Sequence, residues 1–137
     1  MAILIDTSAL LAYISAKDKN HTAASQTMKM LTQEDRIVTS AVLSELFYMT
    51  TVRLSYFRAI NLFAATRAAF QIEQFTELDM FHMEIVMIKY QDAEFDYADA
   101  SIMVIAERLN ITRIFTFDRR DFGMYRPNHC DYFELIP

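Results

Sequence analysis

Apolar positions along the chain change their period several times. Ala2-Ile3-Leu4-Ile5 is an unbroken apolar run, the pattern of a strand covered on both faces of a parallel sheet. Asp6 or Thr7 then supplies a cap for a helix on which Leu10, Leu11 and Ile14 recur. Ala24, Thr27, Met28 and Leu31 predict a second helix from about Asn20 to Leu31, and residues 36–39 read as a second strand. Ser40 is placed to cap a helix through Val42, Leu46 and Met49, and Asp79 one bearing Met80, Met83 and Met87. Helical periodicity also covers 56–70 and 97–109, with Ile102, Ile105 and Ala106 inward in the latter. Short strands are expected at 71–75, 113–117 and 132–136. Strands alternating with helices predict an α/β sandwich with a mostly parallel sheet. No linker, repeat or low-complexity run divides residues 1–137, so one domain is expected to fill the chain.

Composition narrows the chemistry. Gly123 is the only glycine, which excludes a phosphate-binding Gly-rich loop, a dinucleotide fingerprint and a G-x-S-x-G nucleophile elbow. Cys130 is the only cysteine, so disulfide frameworks and zinc ribbons are excluded too. No basic leader precedes Asp6, and no apolar run approaches the roughly 18 residues of a membrane span. A soluble protein of a reducing cytoplasm is the expectation. The formal charge of −5 argues against a globally basic nucleic-acid binder while leaving room for a local basic face.

Four acids sit where acids are costly. Asp6 and Asp118 directly follow strands of the buried type, at the sheet edge where parallel α/β folds bind ligands. Glu45 has Ala41, Val42, Leu46 and Met49 around it at helical spacing. Asp99 has Phe95, Ile102, Met103 and Ala106. Taken alone, Asp6 is as well explained as a helix cap, and Asp118 as a turn residue paired with Arg119 or Arg120. Acids on apolar stripes are harder to explain that way, because they are almost never fully buried unpaired. Convergent carboxylates need arginines or a hard divalent cation to offset repulsion and desolvation. Metal-assisted phosphodiester hydrolysis is the chemistry this suggests. His21, His82 and His129 have no metal-triad spacing and read as surface or structural.

The ordered set Asp6-Thr7-Ser8-Ala9-Leu10, Ser44-Glu45-Leu46, Asp99-Ala100-Ser101-Ile102 and Thr116-Phe117-Asp118-Arg119-Arg120-Asp121-Phe122 resembles the PIN-domain signature. More narrowly, it resembles the VapC-like toxin ribonucleases of bacterial type II toxin–antitoxin modules. The resemblance spans essentially the whole chain. It implies a three-layer α/β/α sandwich, Mg²⁺- or Mn²⁺-dependent endoribonuclease activity, a cognate antitoxin and a toxin homodimer. Asp6 and Asp99 would be the principal metal ligands, and Glu45 and Asp118 would complete the catalytic set. Asp96 and Asp121 are rival carboxylates for the third and fourth places. Thr7 or Ser8 would set a hydroxyl against the cluster, with Thr116 beside the substrate.

Residues 73–99 hold eight acids and one lysine, whereas residues 36–72 hold four arginines and one acid. RNA approaching an acidic pocket needs cations for its phosphates. Arg119, Arg120 and Arg126 are the first candidates, Arg113 and His129 the second. Phe47, Tyr48, Phe57, Phe63 and Phe70 are expected mostly in the core, with a Met-rich groove left for a partner helix. Other readings are a PIN nuclease in RNA processing without an antitoxin, or a catalytically silent metal- or RNA-binding scaffold. A haloacid-dehalogenase-like enzyme needs a second Asp where Ser8 stands, and a receiver domain needs an N-terminal acid pair that is missing.

Overall fold

The computed structural model describes residues 1–137. Its elements run β1 (Ala2–Ile5), α1 (Thr7–Ile14), α2 (His21–Met30), β2 (Asp35–Thr39), α3 (Ser40–Arg53), α4 (Tyr56–Ala69), β3 (Gln71–Glu73), α5 (Glu77–Lys89), a 3₁₀ turn (Gln91–Ala93), α6 (Tyr97–Leu109), β4 (Arg113–Phe115), α7 (Arg119–Met124) and β5 (Glu134–Ile136). The five strands form one sheet in the order β3-β2-β1-β4-β5, and every pairing is parallel.

Successive residues of a strand point to opposite faces, yet Ile3, Leu4 and Ile5 are all fully buried. Helices therefore cover both faces, making the three-layer sandwich that the apolar run implied. The chain builds outward from β1 to β3, then crosses back to β4 on the other side of β1. That reversal opens a crevice beyond the carboxyl ends of β1 and β4, the position where doubly wound sheets bind ligands.

Helix α6 is buried all round from Ala98 to Ala106, where the sequence pattern gave it one inward stripe. Ser101 pins it in place: its Oγ lies 2.8 Å from Thr39 Oγ1 and donates to the Ala98 carbonyl at 2.6 Å. Thr39 also accepts from the Val42 amide, so Thr39 rather than Ser40 caps α3. Likewise Thr76, not Asp79, is the N-cap of α5, and Asp79 closes the capping box from the third position.

Two other expectations fail. The third strand stops at Glu73 and the fourth at Phe115, beyond which only the Thr116 amide still bonds to β5, at the Ile136 carbonyl. The aromatics of α3 and α4 are not mostly core: Tyr48, Phe57 and Phe63 are exposed, and Phe47 and Phe70 only half-buried. These two helices pack against each other in part through edge-to-face pairs of Phe47 with Tyr56 and Phe63, which leaves the outer sides of those rings in solvent. No helix is long and apolar enough to cross a membrane.

Candidate active site

Three acids begin helices, at Asp6, Asp96 and Asp118, but only one of them caps. Asp96 accepts the Asp99 amide at 2.8 Å. Asp6 and Asp118 hold the N-cap position of α1 and α7 without any side-chain cap bond. The Asp6 carboxylate is committed elsewhere, and that of Asp118 has no hydrogen bond.

The Asp6 amide donates to the Phe115 carbonyl at 2.9 Å, which seats it beside the turn that follows β4. Ser8 Oγ and Thr116 Oγ1 both donate to Asp6 Oδ2, at 2.9 and 2.8 Å. Each hydroxyl also accepts a backbone amide of the neighbouring turn: Ser8 from Phe117 at 3.0 Å, Thr116 from Asp118 at 2.9 Å. One carboxylate is thus held by two hydroxyls whose own orientation is set by the β4–α7 backbone. Of the two hydroxyls the resemblance offered, Ser8 reaches Asp6. Thr7 Oγ1 is buried without a hydrogen-bond partner.

Asp6, Glu45, Asp96, Asp99 and Asp118 line a single cleft of about 370 Å³. They arrive from the end of β1, the second turn of α3, the start of α6 and the end of β4. Asp6 and Asp99 are buried, Glu45 is half-buried, and Asp118 is exposed at the rim. Carboxylate oxygens of Asp99, Asp118 and Asp121 come within 4.8 Å of one another. Asp121 therefore joins Asp118 instead of replacing it, and one of its oxygens is buried without a hydrogen bond.

The electrostatics of this cluster are uncompensated. Burial pushes the Asp6 carboxyl up to about 6, against the pull of its two hydroxyl donors, and the nearby Glu45 charge adds to the rise. Asp99 is raised further, first by burial and then by the charges of Asp6, Asp96, Asp118 and Asp121. No lysine or arginine pairs with Asp6, Glu45, Asp96, Asp99 or Asp118. All the donors are hard carboxylate or hydroxyl oxygens. That donor set, crowded and without an ion pair to any of these acids, fits a divalent metal of the Mg²⁺ or Mn²⁺ kind.

The arginines expected to receive RNA are not among the residues that line this cleft, although Arg119 and Arg120 directly follow Asp118 at its rim. Arg119 donates to the Pro137 carbonyl, Arg126 to those of Gly123 and Tyr125, and Arg120 lies 3.6 Å from Asp121. Arg113 is ion-paired with Glu34 at 3.3 Å, and His129 is bonded to the Ile111 carbonyl. The one guanidinium lining the cleft is Arg53, with Asp18 and Asn20 from the α1–α2 connection. Neither group was marked in the sequence. Arg53 stands two turns beyond Glu45 on one helical face, a spacing that carries the signal only once the cleft is known.

Residues 3–126 match the PIN domain family. The chain belongs to the PIN-domain family. Among relatives, Ribonuclease VapC26 of Mycobacterium tuberculosis is 30% identical over 136 residues, covering 98% of this chain and all of that one. The crystal structure of M. tuberculosis VapC20, described as a sarcin-ricin loop cleaving toxin, superposes with a TM-score of 0.81 at 21% identity, covering 93% of this chain and 98% of that one. VapBC2 from Rickettsia felis, solved bound to a promoter DNA fragment, gives 0.74 at 15% identity, covering 98% and 97%. The last two likenesses concern the fold.

Proposed function

We propose that this PIN domain is a divalent-metal-dependent endoribonuclease and the toxin of a type II toxin–antitoxin pair. The observation that carries the proposal is the convergence of Asp6, Glu45, Asp99 and Asp118 from four separate elements on one cleft, none of them held in an ion pair. The ribonuclease name of the 30% identical relative supports the reaction, and a neighbour solved as a VapBC pair supports the antitoxin.

Asp6 and Asp99 would hold the metal, with Glu45, Asp118 and Asp121 available to a second ion or to orient water. When bound, a divalent ion of this class lowers the pKa of water and offsets charge on the attacked phosphate. Ser8 and Thr116 fix the Asp6 carboxylate by their paired donations. Ser101 and Thr39 hold the start of α6 against the start of α3, so that Asp99 and Glu45 keep their separation. A binding cation also relieves the repulsion that raises Asp99, so metal and fold stabilise each other.

The test is induction in a bacterial host of the wild type against Asp6→Asn and Asp99→Asn, with RNA cleavage by the purified proteins in Mg²⁺, Mn²⁺ and EDTA. Growth arrest and cleavage by the wild type alone, lost in EDTA, are expected. Equal toxicity or cleavage by the two variants would overturn the assignment. A short adjacent reading frame whose product restores growth is the expected antitoxin.

A further inference from the structure

The acidic cleft does not end at its acids. Leu11, Asp18 and Arg53 also line a second hollow of about 190 Å³. That hollow in turn shares Ile14, Thr50 and Leu54 with a third one of about 330 Å³. The three form one continuous groove running from the carboxylates along α1 and α3 to α4.

Two independent features mark this groove. Lys17 and Arg53 line the second hollow and Arg58 the third, and none of these exposed cations is paired with a carboxylate. The second is Thr50. It is 2% exposed, and its hydroxyl has no hydrogen-bond partner. Helical threonines usually return the proton to the carbonyl four residues back, as Thr51 does to Phe47 at 2.9 Å and Thr66 to Leu62 at 2.8 Å. Thr50, at the boundary of the two hollows, does not.

We infer that this groove is a subsite for single-stranded RNA flanking the cut. Arg53, with Lys17 and Arg58 on either side, receives backbone phosphates, and the Thr50 hydroxyl bonds a base or ribose seated over Leu11, Ile14 and Leu54. The inference rests on the ribonuclease reading and names where that substrate runs. Arg53 lies eight residues beyond Glu45, about 12 Å along the α3 axis, so it meets a phosphate past the scissile one and acts as a positioning residue. A polyanion leaving an acidic centre needs cations spaced along its exit, and an apolar floor with cations above it is the recurring design of single-strand grooves. A polypeptide segment would use the floor and leave three unpaired cations without a role.

The experiment is fluorescence anisotropy of the full chain with a mixed-sequence 12-nucleotide single-stranded RNA in EDTA, across a salt series, plus steady-state cleavage in Mn²⁺. Arg53→Ala is expected to weaken binding several-fold, to reduce the log–log salt slope by about 0.7, and to raise KM more than it lowers kcat. Arg53→Lys restores the slope. Thr50→Val weakens binding with the slope unchanged and melts higher than wild type, because an unsatisfied buried hydroxyl is gone. Arg67→Ala, outside the groove, changes nothing. If the wild type neither binds nor cleaves RNA, the ribonuclease reading fails. Wild-type cleavage with unchanged affinity and slope in Arg53→Ala and Thr50→Val would overturn the subsite alone. Unchanged RNA binding together with loss of a bound partner protein in these variants would give the groove to a polypeptide and also overturn it.

Discussion

Asp79 and Asp99 are the same residue type, both in the first turn of a helix and both buried, at 2% and 6% exposed. Their surroundings are opposite. Asp79 accepts Arg108 Nε at 3.0 and 3.1 Å, the Thr76 amide at 2.9 Å, and closes a capping box. The same guanidinium reaches Glu73 and the Gln74 carbonyl, tying β3 and α5 to the end of α6. Asp99 has four acids for neighbours and no ion pair. Burial by itself therefore says little about function. What separates a structural acid from a functional one is whether the fold itself supplies the counter-charge.

The contrast can be broken from either side. The largest effect is expected at Asp99→Asn, with RNA cleavage falling by at least roughly 100-fold, since even changes behind a metal ligand cost 10–100-fold. The same variant should melt higher than wild type in EDTA, because folding no longer has to hold this carboxyl out of its preferred charged form; a lower melting temperature would contradict the electrostatic account. Asp79→Ala should do the reverse. Losing the capping box and one of the two carboxylates on Arg108 costs about 1–2 kcal/mol of stability by chemical denaturation, while cleavage per folded molecule survives.

Next in size after the loss of cleavage is metal itself. Mn²⁺ or Mg²⁺ at about 100 times its dissociation constant should add about 2.7 kcal/mol to the unfolding free energy of the wild type. That gain should vanish in Asp99→Asn and remain whole in Asp79→Ala. Equal stabilisation of all three proteins would place the ion elsewhere. The smallest effect is expected at Thr116→Val, which removes one of two donors to Asp6 Oδ2. About 1 kcal/mol is the usual worth of such a bond, and metal affinity measured by calorimetry should fall without loss of the fold.

The positions of the acids along the chain were legible because they depend on local pattern. An apolar run of four residues makes a buried strand, and an acid right after it falls at the sheet edge whatever the rest of the molecule does. Helical spacing likewise put Glu45 and Asp99 on apolar stripes before any packing was known. Less was legible for the short α7, with only six residues and a glycine among them, and for the choice of Thr39 and Thr76 over Ser40 and Asp79 as caps. Adjacent capping residue types compete at close to equal energy, so the neighbours decide.

What only tertiary structure decided is which side chains share a space. Thr116 is 110 residues from Asp6 yet holds its carboxylate, and Asp121 joins Asp99 from another helix. Arg53 is the guanidinium that lines the cleft, and Tyr48, Phe57 and Phe63 of α3 and α4 stay in solvent. Periodicity reports which face of an element is apolar, since that is set by neighbours three and four residues away. It is silent on what the face meets, because that depends on the order in which the strands are laid down, and a crossover from β3 to the far side of β1 leaves no mark on local spacing.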